Sequence, residues 1–237
     1  MKNDLTTGSV FRNVVSFSLP YLLSYFLQTL YGMADLFIIG QFEGAAGTTA
    51  VSIGSQVMHM ITVIIVGLSM GTTVSIAQAV GAKDKKQASR CTGNTITLFL
   101  GVSVVLMVIL LLLVKPIVLV MSTPSEAVSG TVAYLTICFI GIPFITAYNI
   151  ISSIFRGLGD SKSPMYFIAV ACAANIALDY LFMGALHLGP SGAALGTTLS
   201  QTLSVILALI AIRKHDTGIR LTRSDLLPSD SCNGTDS

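Results

Sequence analysis

Two acidic side chains stand where acids are costly. Asp35 lies within SYFLQTLYGMADLFIIG and Asp179 within PMYFIAVACAANIALDYLFMGAL, each stretch apolar enough to cross a bilayer. A carboxylate at that depth costs several kcal/mol unless it faces a partner or a water-filled cavity. Asn175 precedes Asp179 by four residues and so shares its helical face. In the first stretch Gln28, Tyr31, Gly32 and Asp35 fall at i, i+3, i+4 and i+7, again one face. Thr197 and Thr198, in a third apolar stretch, would add a hydroxyl. The set is rich in oxygen: two carboxylates, an amide carbonyl, a hydroxyl and a phenol. Oxygen ligands suit a hard cation, and two dry carboxylates that resist joint ionisation suit a proton carrier. The competing reading is that each acid separately satisfies a nearby donor and only ties helices together.

Whether these groups meet depends on the spans that carry them. The 237 residues are 53% hydrophobic and only 10% charged, with a mean hydropathy of +0.80. Soluble domains carry roughly a quarter of their residues as charges, so the composition implies an integral membrane protein. A span needs about 20 apolar residues, and six are legible: Val15–Ile39, Val51–Val80, Thr95–Val114, Val128–Phe155, Met165–Leu186 and Ala193–Ile212. Helices are expected throughout, because open sheets cannot sit in lipid. Three segments follow: 1–14 as a cytoplasmic lead, 15–212 as the six-helix lobe, and 213–237 as a polar tail or inter-lobe linker. No cleavable signal peptide is expected, since the first apolar run is too long and lacks a small-residue cleavage site after it.

Basic residues set the orientation. Of the thirteen Lys and Arg, only Lys115 falls in a loop on the far side. The side holding Lys83, Lys86, Arg90, Arg156, Lys162 and both termini is therefore predicted to be cytoplasmic. Depth follows from this alternation. Asp35 lies eight residues before Glu43 and Asp179 eight before His187, both in outer loops. Each carboxylate is then about 12 Å inward from the outer side, and Thr197 and Thr198 re-enter to a similar level.

Small residues at membrane-helix spacing, Gly67 with Gly71, Ala173 with Ala177 and Gly192 with Gly196, predict close helix approaches. Pro20 and Pro143 should each bend a helix. LVKPIV and STPSE are expected to break the chain between spans three and four. Gln56, His59 and Thr62, with Tyr148 and Asn149, could line a cavity or serve as interhelical hydrogen bonds. His59 has no His, Cys or acid at ligand spacing. The scattered cysteines Cys91, Cys138, Cys172 and Cys232 suit small core groups rather than a metal site or a disulfide framework. RGLGDSKSP lacks the strand and the GK[ST] ending of a phosphate loop, and no intramembrane enzyme motif is present. The basic AKDKK loop needs no nucleic acid to explain it.

The sequence resembles the N-terminal lobe of the multidrug and toxic compound extrusion (MATE) family. The resemblance rests on LPYLLSYFLQTLYGMADLFIIGQF, GLSMGTTVSIAQAVGAKDKKQA, RGLGDSKSP and NIALDYLFMGALHLGPSGAALGTTLSQ, and covers nearly everything before the tail. It implies one six-helix lobe of a two-lobe transporter in the cytoplasmic membrane, and not an enzyme. It further implies cation-coupled export of drug-like, often cationic compounds, with Na⁺ or H⁺ as coupling ion and no other cofactor. The family's N-lobe cation site maps onto Asp35, Asn175 and Asp179, with Thr197 favoured of the two threonines. Gln28 and Tyr31 match residues lining the same cavity, and Pro20 matches a proline whose bending is linked to protonation or ion binding. Members usually have two such lobes, so a second lobe is expected as partner, from another copy or a separate chain. The alternatives are an inactive or scaffolding membrane fragment, and a lipid or oligosaccharide flippase. The latter would want a cationic cavity, and these spans carry no Lys or Arg in their middles.

Overall fold

The computed structural model describes residues 9–214, and there the chain is helical with no strand. The helices are α1 (Val10–Phe42), α2 (Ala45–Gly81), α3 (Lys85–Val120), α4 (Val128–Ile140), α5 (Ile142–Gly157), α6 (Lys162–Asp179) and α7 (Gly189–Lys214). A π-helical turn, Tyr180–Ala185, extends α6. Most of the 1–14 segment and the tail beyond Lys214, with Lys2, Arg220, Arg223 and Cys232, lie outside the described residues.

Five of the helices are each long and apolar enough to cross a membrane, counting α6 with its π turn as one. The sixth span is the pair α4–α5, bent by 49° at Gly141. Pro143 explains the break. It occupies the first turn of α5, where its missing N–H costs nothing, but it cannot continue α4 as one ladder. Pro20 behaves differently, for α1 runs as one helix from Val10 to Phe42 with the proline inside it. The Ser24 hydroxyl, one turn on, donates to the Pro20 carbonyl at 2.8 Å.

Several expected boundaries shift. Lys115–Pro116 is no break, because α3 continues through it to Val120. The basic loop is likewise short, since α3 already begins at Lys85, capped by the Asp84 carboxylate accepting from the Lys86 and Gln87 amides. Polar residues at a span's end leave the hydrocarbon but stay helical, so hydropathy underestimates helix length. At 1.5 Å per residue the 36 residues of α3 run about 54 Å, well beyond the roughly 30 Å of hydrocarbon.

Packing places α7 at the middle of the lobe, against α4, α5 and α6, while α1 lies along α6. The largest core cluster joins Ile38 and Ile39 of α1 to Val51 and Met58 of α2, Leu135 and Phe139 of α4, and Ala193 and Ala194 of α7. Outside, the large apolar residues are exposed, among them Leu112 of α3 at 77%. That is how a lipid-facing surface looks.

Of the three small-residue pairs, only Gly192 with Gly196 marks a close approach. A Cβ at Gly67 or Gly71 would meet nothing within 4 Å, and Ala173 and Ala177 are both exposed. Spacing shows that a face is small but not whether a neighbour is there. A tight crossing that spacing did not reveal lies at Gly54, where the Tyr134 ring fills the place of a Cβ and its hydroxyl meets Ser55 Oγ at 3.1 Å. Gly54→Ala should therefore destabilise the fold by about 1–3 kcal/mol through overpacking. Gly101→Ala, in open space on α3, should be neutral or add up to ~1 kcal/mol through helix propensity. Unfolding midpoints in mild detergent compare the two.

Candidate functional site: a buried carboxylate pair

Asp35 of α1 is 2% exposed, and Asn175 and Asp179 of α6 are fully buried. Local sequence explains their aim. The i to i+4 step stacks Asn175 above Asp179 on the α6 face turned to α1 and α7, and the Asn175 amide donates to Asp179 Oδ1 at 3.4 Å. From α7, the Thr197 hydroxyl donates to Asp35 Oδ2 at 3.1 Å. The two carboxyl groups lie close enough to influence each other directly, with Asn175 beside both. Asp179 is also the last α-helical residue of its span, for the π-helical turn starts at Tyr180. Tyr180 stacks edge-on against Phe42 at 6.1 Å, pinning the end of α1 beside it.

Tyr31, one turn from Asp35, ties α1 to α7. Its hydroxyl donates to the Thr197 carbonyl at 2.9 Å and shares a hydrogen bond with Ser200 Oγ at 2.7 Å. Ser200 Oγ also lies 2.9 Å from the same carbonyl and can donate there when it is not bonded to Tyr31. Sequence reasoning did not single out Ser200; its step of three from Thr197 was the available sign. Thr198, the adjacent threonine, points elsewhere and packs at the Gly141 break.

Two expected cavity residues stand apart. Gln28 is half-buried and lines a separate cleft with Tyr21, Ser24, Tyr25, Tyr148 and Arg156, where the Arg156 guanidinium lies 5.0 Å over the Tyr21 ring. Asn149 is buried on α5 and donates back to its own helix at Ile145. Gln56 and His59 are exposed on α2, and among the described residues no group of three His, Cys, Asp or Glu could hold a metal. Cys138 and Cys172 are buried thiols in the core.

The electrostatics are one-sided. Among the described residues no basic side chain is paired with either carboxylate. Asp35 Oδ1, Asp179 Oδ2 and Asn175 Oδ1 are buried with no hydrogen-bond partner. Unpartnered acceptor oxygens on three neighbouring side chains, two of them acids, make the chemistry of a small hard cation, or of a proton shared by the pair. The residues fit either.

A bundle of membrane-crossing helices with a carboxylate pair buried where three of them meet sets the class: a helical integral membrane lobe. The MatE family model matches residues 20–181. The chain belongs to the MATE family. It is 33% identical over 212 residues to the probable multidrug resistance protein YpnP of Bacillus subtilis, an alignment covering 90% of this chain and 48% of that protein. To the multidrug export protein MepA of Staphylococcus haemolyticus it is 26% identical, over 89% of this chain and 47% of the other. A crystal structure of MATE in the bent conformation superposes with a TM-score of 0.89 at 28% identity, over 95% of this chain and 50% of that one. The chain thus spans about half the length of the relatives it matches.

Thr197→Val should cost more than Tyr31→Phe. The first strips Asp35 of a donor in a buried place, at about 1–3 kcal/mol. The second leaves the Thr197 carbonyl with Ser200 as donor, so about 1 kcal/mol is expected. Chemical unfolding in detergent micelles reads the difference.

Proposed function

We propose that the chain is the ion-binding lobe of a cation-coupled exporter of drug-like organic compounds, with Na⁺ or H⁺ as the coupling ion. One observation carries this reading: in a MATE-family lobe, neighbouring Asp35, Asn175 and Asp179 each keep a buried oxygen without a partner, and no basic side chain is paired with either acid. The coupling ion is cargo rather than a resident cofactor. Asp35, Asp179 and the Asn175 carbonyl would hold it, with Thr197 fixing the Asp35 carboxylate. Empty and ionised, the pair repels across the α1–α6 contact; filled or protonated, the contact relaxes. Occupancy thereby biases how α1 lies against α6 and α7, which is the kind of difference alternating access requires. The relatives' names supply the substrate class, multidrug export. The orientation follows the basic residues, with both termini cytoplasmic in the cell membrane.

Asp35→Asn or Asp179→Asn should abolish ion-driven efflux of a fluorescent cationic dye while the protein still inserts. Leu112→Ala, on the lipid face, should leave efflux unchanged. Wild-type efflux from either Asn variant at equal expression would sink the reading.

The transport unit is further taken to contain a second six-helix lobe. Gln56 and His59 are exposed on α2 at span depth, where lipid alone would leave them unsatisfied. A copy related by a two-fold axis along the membrane normal keeps the same topology, and a separately encoded lobe would do the same. Crosslinking in membranes should trap a two-lobe species. A strictly monomeric chain that exports dye from liposomes in response to an ion gradient would refute this.

A further inference from the structure

We infer that Gly196 is a positioning residue of the carboxylate site, there because Asp179 needs the space beside the α7 backbone. This rests on the ion-coupled reading above and extends it to a residue outside the ligand set. A Cβ placed on Gly196 would collide with Asp179 Oδ1, and would lie 3.3 Å from Asp179 Cγ and 3.5 Å from Asn175 Nδ2. The obstacle is not the loose end of a long side chain. Asp179 is short, fully buried and held by Asn175, whose amide donates to the same Oδ1.

A single methyl group would therefore force one of two adjustments. Turning the Asp179 carboxyl away breaks its contact with Asn175. Backing α7 off instead stretches the Thr197 bond to Asp35 at 3.1 Å and the Tyr31 bond to the Thr197 carbonyl at 2.9 Å. Either way one substitution disturbs the pair, although Gly196 contributes no side-chain ligand. Conformational freedom does not explain the glycine, because Gly196 is helical and outside the left-handed region. Mid-helix glycine is disfavoured relative to alanine, so what keeps it compatible with α7 is the close approach.

Gly192 provides the comparison. It sits one turn earlier on α7 and packs tightly too, but against the Phe182 backbone and Cβ at 3.1 Å rather than against the site. If Gly196 served only helix packing, alanine at either position would have the same consequences.

The test uses the full chain in native membranes. Dicyclohexylcarbodiimide labels protonated carboxyls in apolar surroundings, and mass spectrometry locates the adduct at Asp35 or Asp179. Na⁺ titration measures protection from labelling, and pH titration measures the rise in labelling as the pair is protonated. Gly196→Ala should shift the Na⁺ or H⁺ level of half-effect by about tenfold or more. Gly192→Ala should lower stability yet keep the wild-type protection curve. An unchanged curve in Gly196→Ala, or equal shifts in both variants, overturns the inference. Should Gly196→Ala fail to accumulate, the double variant Asp179→Ala with Gly196→Ala decides. Restored accumulation upholds the contact with Asp179, and continued failure overturns it. A wild-type chain with neither ion protection nor dye export would defeat the ion-coupled reading instead, while the double variant still reports on the contact.

Discussion

Two carboxylates buried at one level of a helix bundle, with no basic side chain paired to either, impose the strongest constraint on this lobe. Placing an uncompensated charge in hydrocarbon costs several kcal/mol. The bundle meets that cost with geometry. Asn175 and Thr197 each donate to one carboxylate, and three helices close around the pair until neither is appreciably exposed. These donors satisfy one oxygen of each acid and leave the other without a partner. Buried oxygens without a partner also occur at Thr146, Ser152, Thr198 and Gln201, but only those of the pair belong to acids. The residual acceptors are what a cation or a proton would use.

The distribution of unsatisfied atoms sharpens that distinction. Where α2, α3 and α5 meet, hydroxyls also pair across helices: Ser153 donates to Ser69 at 3.1 Å, Thr73 to the Ser153 carbonyl at 3.2 Å and Thr95 to Thr72 at 3.4 Å. Among the described residues, every buried polar side-chain atom left without a partner belongs to α1, α5, α6 or α7, and none to α2, α3 or α4. On α7 three consecutive residues face three different neighbours. Gly196 abuts Asp179, Thr197 bonds Asp35, and Thr198 packs against Gly141 at the 49° break. A displacement of this segment is therefore felt at once by both carboxylates and by the α4–α5 bend.

The sequence made much of this legible for a physical reason: hydropathy and the placement of basic residues report on the membrane, which acts on every span alike. The six-span architecture and the common depth of Asp35, Asp179 and Thr197 follow from it, and the bend at Pro143 follows from the missing N–H. Helix ends did not, because Lys115–Pro116 can leave the hydrocarbon and remain helical. Close approaches did not either. Gly67 and Gly71 have the same spacing as Gly192 and Gly196, yet only the latter pair has neighbours. Gln28 shares a helical face with Tyr31 and Asp35 by count, but lies far enough along α1 to line another cleft. Periodicity fixes the direction of a side chain from its own axis and says nothing of what stands opposite.

The outer surface is not uniform, and its differences bear on what surrounds each helix. The outward face of α3 is nearly pure aliphatic, with Leu98, Leu112, Leu119 and Val120 all strongly exposed, and α3 holds the most apolar window of any span. Lipid tails are sufficient company for such a face. The outward faces of α1 and α2 instead mix Tyr25, Phe26, Met33 and Met60 with the exposed Gln56 and His59. Acyl chains offer an amide or an imidazole no hydrogen bond, whereas a water-filled cavity or an opposing protein surface does. Methionine and aromatic rings also adapt to varied apolar shapes better than branched aliphatics do. The carboxylate pair lies behind this same wall, since Asp35 projects from α1 toward α6 and α7. That wall is thus shared between α2, which carries Gln56 and His59, and α1, which carries Asp35 on its other side. Any displacement of α1 against α6 moves Tyr25, Phe26 and Met33 together with Asp35, because all four belong to one unbroken helix.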